Sequence, residues 1–170
     1  MFYDTSCFPF AERLEDKWAD VLAEFQKLKT GTFPYPETDL YLGEWDVFPF
    51  VFFGEIFIDN CKACPTTWEL LRQIPGMKTA SFSILRSSTE ISPHTGFTKK
   101  VIRCHLALEV PDHCAIIVGD EPRLWEKGKC LFFDDTVEHS AYNRSTKDRI
   151  VLLLDVDRNE TSFTLGSEND

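Results

Sequence analysis

Basic residues are scarce in this chain. Of 170 residues, 18 are Lys or Arg and 28 are Asp or Glu, a formal net charge of −10. A phosphate backbone or an anionic bilayer surface is gripped by clustered Lys and Arg, so neither nucleic acid nor membrane is an expected partner. Long apolar runs are missing too. The longest, residues 47–53 and 150–154, fall far short of the ~20 residues that span a bilayer as a helix. The start, Met1-Phe2-Tyr3-Asp4, sets no basic segment ahead of an apolar one. No secretory leader is therefore visible, and a cytoplasmic location is expected. Six cysteines are too few for a scaffold built on disulfides. Cys104, Cys114 and Cys130 each sit inside an apolar run and read as reduced core thiols. Cys61-Lys62-Ala63-Cys64 lacks the second pair of a zinc site and the βαβ context of a thioredoxin-like motif, so redox chemistry is the weaker reading there.

What is present suits a single domain over 1–170. Leu14, Trp18, Val21, Leu22, Phe25 and Leu28 recur at helical spacing, which predicts one amphipathic helix over 10–28, stopped by Gly31 and Pro34. Residues 32–46 are rich in Pro, Gly and acid and read as loop, which makes 1–40 a helical cap and loop. Thr66-x-x-Glu69 has the form of a capping box and predicts a short helix over 67–73, ended by Pro75-Gly76. Beyond residue 78 the pattern changes to short β-branched and aromatic runs at 81–85, 101–110, 115–118, 130–133 and 150–156. Turn residues and no helices separate them, which predicts an antiparallel sandwich or jelly roll. The last stretch, 159–170, is polar and acidic and is expected to fray.

The chemistry-bearing residues are polar groups set in strand-like runs, where burial is unfavourable unless it serves something. From Val101 to Leu108, strand alternation puts Arg103 and His105 on one face and Ile102, Cys104, Leu106 and Leu108 on the other. His94 stands beside a tight turn, Ser92-Pro93-His94-Thr95-Gly96. His139 ends the run Phe133-Asp134-Asp135-Thr136-Val137-Glu138-His139, and Arg149 opens the strand at 150–154. Two imidazoles brought together inside a sandwich make half of a transition-metal site. A guanidinium at the same mouth offers a fork for a carboxylate. Taken singly, each has an ordinary explanation: loop or core histidines, and for Arg149 a strand-end ion pair with Asp134 or Asp135.

Together, His94-Thr95-Gly96-Phe97-Thr98, Arg103-Cys104-His105-Leu106, the 133–139 run and Arg149 resemble the aspartyl/asparaginyl β-hydroxylases, which are Fe(II)- and 2-oxoglutarate-dependent oxygenases. The likeness extends through Gly43-Glu44-Trp45, Asn60-Cys61-Lys62, Leu70-Leu71 and Ser83-Ile84 and covers roughly 43–157. It implies a mainly β fold, a double-stranded β-helix over 43–157, using Fe(II), O2 and 2-oxoglutarate as co-substrate, with ascorbate in assays. It implies further that His94 and His139 bind the iron and that Arg103, Cys104 and His105 lie along the co-substrate. Arg149 and Ser83 would hold its distal carboxylate, with Trp45 lining the same pocket. The implied substrate is an Asp or Asn residue of a protein or peptide, hydroxylated at the β-carbon. A small molecule or lipid is the alternative substrate, and a non-catalytic jelly-roll binding module is the alternative function. Most non-haem Fe(II) oxygenases carry a carboxylate where Gly96 stands. Family members acting on protein share this H-x-G, with water at the vacant position, whereas those thought to act on lipids or free amino acids usually show H-x-D. Glu138 is a poor substitute, because alternation turns it away from the His139 face. Trp68 stands where animal members keep the disulfide partner of the cysteine matching Cys61, so that bridge is not expected, although Cys64 could form a tighter one.

Overall fold

A computed structural model describes residues 1–52 and 54–159. From residue 160 on, the tail expected to fray lies outside the described residues. Among these, in chain order, stand β1 (Phe2–Tyr3), α1 (Phe10–Asp16), α2 (Trp18–Gln26), β2 (Phe33–Pro34), β3 (Tyr41–Leu42), β4 (Trp45–Phe52), β5 (Glu55–Ile56), α3 (Ile58–Ala63) and α4 (Pro65–Leu71). Then follow β6 (Met77–Leu85), β7 (Thr89–His94), β8 (Val101–Glu109), β9 (Cys114–Val118), β10 (Glu121–Arg123), β11 (Cys130–Phe133), β12 (His139–Asn143) and β13 (Arg149–Asp157).

The strands form two antiparallel sheets. The larger runs β1-β11-β8-β13-β6-β4-β2 with β5 on the flank of β4, and the smaller runs β10-β9-β12-β7-β3. From β6 to β13 the chain passes back and forth between them: β6, β8, β11 and β13 in the large sheet, β7, β9, β10 and β12 in the small one. That is a double-stranded β-helix, the jelly roll expected from strand spacing. The large sheet is buried on both faces. Phe82, Leu106, Phe132, Leu152 and Leu154 face the helices, while Ala107, Phe133, Val151 and Leu153 face the small sheet. Burial on both sides explains why β13 reads as an unbroken apolar run rather than an alternation. The small sheet turns its other face to solvent, so Glu90 and Ser92 in β7 are exposed. Its strands β7 and β12 are correspondingly polar, which hides them from a search for apolar runs.

Two helical expectations need correction. The predicted single helix over 10–28 is broken at Lys17 (φ −107°, ψ 7°) into α1 and α2. The break lets Phe8 and Phe10 pack on Phe132 while Phe25 reaches Phe82. The capping box does not form either. α4 starts at Pro65, and its free Thr66 and Thr67 amides donate to the Glu24 carboxylate of α2, at 2.7 and 2.8 Å. Glu69 instead binds Arg72 and Gln73. The reading of 32–46 as loop also misses β2 and β3. Cys61 and Cys64 are free, buried thiols, and burial pushes both up, Cys64 to about 12. Neither is poised as a thiolate.

Candidate active site

His94 ends β7 and His139 opens β12, and the two are directly paired across the ladder. Their rings meet at 4.3 Å between centroids, tilted by 56°. His94 Nδ1 lies 2.8 Å from the Ser92 carbonyl and His139 Nδ1 lies 2.8 Å from the Val137 carbonyl. A carbonyl only accepts, so both Nδ1 atoms carry a proton, and in the neutral form of either ring the Nε2 lone pair is left bare. Burial holds His139 well below the usual imidazole range, at about 4, and so keeps it neutral at pH 7.

Beside these lone pairs stands a carboxylate that the sequence did not single out. Asp135 Oδ1 lies 3.3 Å from His139 Nε2, and Asp135 is only 1% exposed. A Cβ at Gly96 would fall 1.7 Å from Asp135 Oδ2. Gly96 is not at positive φ, so glycine is required there for close approach rather than for backbone freedom. The carboxylate absent from residue 96 is thus matched by one arriving from residue 135. Among the described residues, no group of three His, Cys, Asp or Glu side chains is arranged around a common ion position. The donor pair is therefore the two imidazoles, adjacent across one rung of the ladder, and two histidines fit a divalent cation; Asp135 stands beside His139, with Oδ1 bound by Arg103. Glu138 is exposed and takes no part.

Arg103 separates Asp135 from Asp155. Its Nη1 meets Asp135 Oδ1 at 2.8 Å, while Nε and Nη2 bind Asp155 at 2.8 and 3.0 Å. Burial works against the Arg103 charge, but the two carboxylates overcome it and hold it firmly protonated.

Arg149 is the opposite case. It is the largest fully buried side chain, 2% exposed, and among the described residues no carboxylate pairs with it. Asp134 pairs with Arg158 and Asp135 with Arg103, which removes the strand-end ion pair as an account of Arg149. Its Nη2 donates to Ser83 Oγ at 3.2 Å, its guanidinium lies 4.8 Å from the centre of the Trp125 ring, and its Nε is buried without a partner. Burial pulls its pKa down to about 10. Trp45 Nε1 also donates to Ser83 Oγ, at 2.9 Å. Receiving two donors, the Ser83 hydroxyl has its own proton left to give. His105 Nε2 is a further buried atom without a partner.

These groups line one cavity of about 370 Å³: Trp45, Ser83, His94, Arg103, His105, His139 and Arg149, closed by Phe133, Ile116 and Leu153. Of the residues proposed from sequence, Cys104 alone does not join them. It is fully buried in the core on the helix side of the large sheet, because its neighbours Arg103 and His105 take the inner face. A second cavity, about 430 Å³, shares Trp45, Arg103 and Leu153 and adds Tyr35, Val47, Phe52, Thr79, Ser81, Phe97 and Asp155. Asp135, Asp155 and Trp125 were missed from sequence. Only Asp135 carried a signal, since it sits inside the 133–139 run.

The family model described as Aspartyl/Asparaginyl beta-hydroxylase matches residues 15–159, which takes in both sheets except β1 and every residue named for the cavity. The ornithine lipid ester-linked acyl 2-hydroxylase of Rhizobium tropici is 38% identical over 165 residues, covering 90% of this chain and 59% of that one. Aspartate beta-hydroxylase domain-containing protein 2 of Xenopus tropicalis is 34% identical over 160 residues, or 85% and 43%. Human aspartyl/asparaginyl beta-hydroxylase is 31% identical over 163 residues, or 90% and 22%. The chain therefore spans 59% or less of the length of each of these relatives. Among solved structures, a predicted oxalate decarboxylase of Thermotoga maritima superposes with a TM-score of 0.53 at 11% identity, over 76% of this chain and 94% of that one, a likeness of fold alone.

Proposed function

The chain belongs to the aspartyl/asparaginyl β-hydroxylase family, and from that premise we propose that it is an Fe(II)- and 2-oxoglutarate-dependent hydroxylase. The reaction is R–H + O2 + 2-oxoglutarate → R–OH + succinate + CO2. The observation that carries this reading is Arg149: a buried guanidinium with an unpartnered Nε and no carboxylate of its own. Such a charge is costly unless an anion completes it. His94 and His139 would hold the iron, which when bound supplies the reduction of O2 coupled to decarboxylation of the keto acid. Arg149 and Ser83 would grip the distal carboxylate with charge-assisted hydrogen bonds. His105 would lie alongside the bound acid, and Phe133, Ile116 and Leu153 would keep water from the reacting centre. Asp135, fixed by Arg103, would hold water beside the metal where other oxygenases bring a carboxylate ligand.

The first substrate reading is the β-carbon of an Asp or Asn residue in a protein or peptide, in keeping with the name of the human relative. A second is an apolar acyl chain, in keeping with the name of the Rhizobium relative. The H-x-G of Gly96 speaks for the first reading, and the second cavity is the observation that speaks for the other. Its walls are aromatic and aliphatic apart from Thr79, Ser81, Arg103 and Asp155, and Arg103, the one cation among the described residues that line it, is already bound by two carboxylates. Succinate formation from 2-oxoglutarate with Fe(II), ascorbate and O2 tests the chemistry. Absence of succinate under any substrate would remove the hydroxylase reading. Offering Asp- and Asn-containing peptides beside acylated lipids, and reading a mass gain of one oxygen, separates the substrates.

A further inference from the structure

Trp125 lies between β10 and β11, 5% exposed, and touches both of the unpartnered donors in the cavity. We propose that Trp125 is a positioning residue that locks His105 in its Nε2-protonated form and so aims an N–H into the cavity. An indole nitrogen can only donate. Trp125 Nε1 stands 3.1 Å from His105 Nδ1, and the contact is buried. A proton on Nδ1 would set two N–H groups against each other, so that nitrogen must be bare. The single proton of the neutral ring is then on Nε2, the atom left buried without a partner. Phe133 fixes the same ring edge-on at 5.2 Å and 85°. Burial, with Arg149 and Arg103 nearby, also disfavours a doubly protonated ring.

The three imidazoles of this cavity are thereby set in opposite senses. Carbonyl acceptors bind the Nδ1–H of His94 and His139 and leave Nε2 lone pairs for a cation. An indole donor binds Nδ1 of His105 and leaves an Nε2–H for an anion. The same Trp125 ring backs the Arg149 guanidinium, so one side chain orients both donors that a carboxylate-bearing guest would meet.

The inference rests on the 2-oxoglutarate reading only for the ligand used in its second test. The first test is the ¹⁵N spectrum of the His105 ring in the metal-free wild-type protein. Nε2 should be protonated and Nδ1 bare, and a proton on Nδ1 would overturn the proposal. The second is a double-mutant cycle in 2-oxoglutarate affinity, measured by calorimetry on the metal-loaded protein. Trp125→Phe keeps an aromatic ring near Arg149 and removes the N–H together with part of the indole, a packing change that the cycle cancels because it is common to both backgrounds. It should weaken binding about tenfold, as loss of one oriented charge-assisted bond does. In a His105→Phe background the same change should have less than about a twofold effect. An equal loss in both backgrounds, or none in the first, would show that Trp125 does not act through His105. Should either variant fail to fold, the wild-type spectrum still decides. A wild-type protein with the expected ring protonation and no affinity for 2-oxoglutarate would sink the functional reading and leave the role of Trp125 standing.

Discussion

Replacing Arg149 with methionine should make the ligand-free protein slightly more stable while removing its grip on 2-oxoglutarate. Burial lowers the Arg149 pKa from 12.5 to about 10, which corresponds to about 3 kcal/mol against the charged form. The sign follows from linkage: a base whose folded pKa is depressed destabilises the fold at every pH below that value, neutral pH included. Against this stand the bond to Ser83 Oγ and the stacking on Trp125, together worth about 2 kcal/mol. Methionine fills much of the same volume without a charge. The balance is about 1 kcal/mol in favour of the variant, or a rise of about 2–4 °C in Tm. Binding should move the other way. Loss of two charge-assisted bonds at about 1.5–3 kcal/mol each weakens 2-oxoglutarate by at least about a hundredfold. Arg149→Lys, which keeps a point charge without the fork, should weaken it about tenfold. Differential scanning fluorimetry and anaerobic calorimetry on the Fe(II)-loaded protein read both quantities. A methionine variant that melts well below wild type and binds 2-oxoglutarate normally would refute the argument, because it would make Arg149 a structural residue.

Three further outcomes are expected. His139→Ala should abolish Fe(II) binding and succinate formation while the circular dichroism spectrum is retained; stoichiometric iron in that variant would contradict the two-histidine site. Gly96→Asp should lower stability by about 1–3 kcal/mol without raising turnover, because its Cβ meets the buried Asp135 carboxylate at 1.7 Å. Adding Asp135→Ala should recover most of that loss in thermal melts, and no recovery would mean the overlap is not the cause. Last, His105 is held neutral well below the usual imidazole range, chiefly by burial. The unfolded chain therefore takes up a proton there as the pH falls through about 6.5, while the folded chain does not. Stability of the metal-free protein should fall by up to about 1.4 kcal/mol per pH unit below that point from this residue, and His105→Phe should flatten urea-derived stability curves there by that amount.

Much of the large sheet was legible in the sequence, because strands buried on both faces are apolar throughout and β13, β8 and β11 announce themselves. β7 and β12 were not, since one of their faces meets water and their composition resembles that of loops. The helical cap shows the limit of periodicity. The apolar spacing runs unbroken past Lys17, but two segments must lie against different parts of one sheet, and only packing reveals the break. The capping box failed for a similar reason: Glu24, far away in sequence, reaches the amides first. At the site, Arg103 and His105 stand out as polar residues in an apolar run, whereas His94, His139 and Arg149 were singled out by the resemblance that the motifs around them carry. Asp135 filling the space beside Gly96, and Trp125 backing His105, are encounters between distant segments. No local pattern in Arg123-Leu124-Trp125-Glu126 marks the indole as the support behind two cavity residues.

β13 is hydrogen-bonded along both edges, to β6 and β8, and covered on both faces. A segment so enclosed opens only when the whole molecule does, and Arg149 rides on it. His94 sits instead at the end of β7, whose outer neighbour is the two-residue strand β3. His139, on β12, is itself paired on both sides, to His94 and to Val118, so of the two imidazoles His94 is the one nearer the edge of its sheet. The two ends proposed to meet a dicarboxylate thus differ in enclosure: the guanidinium stands on the most enclosed strand of the fold and one of the two imidazoles near the margin of the smaller sheet.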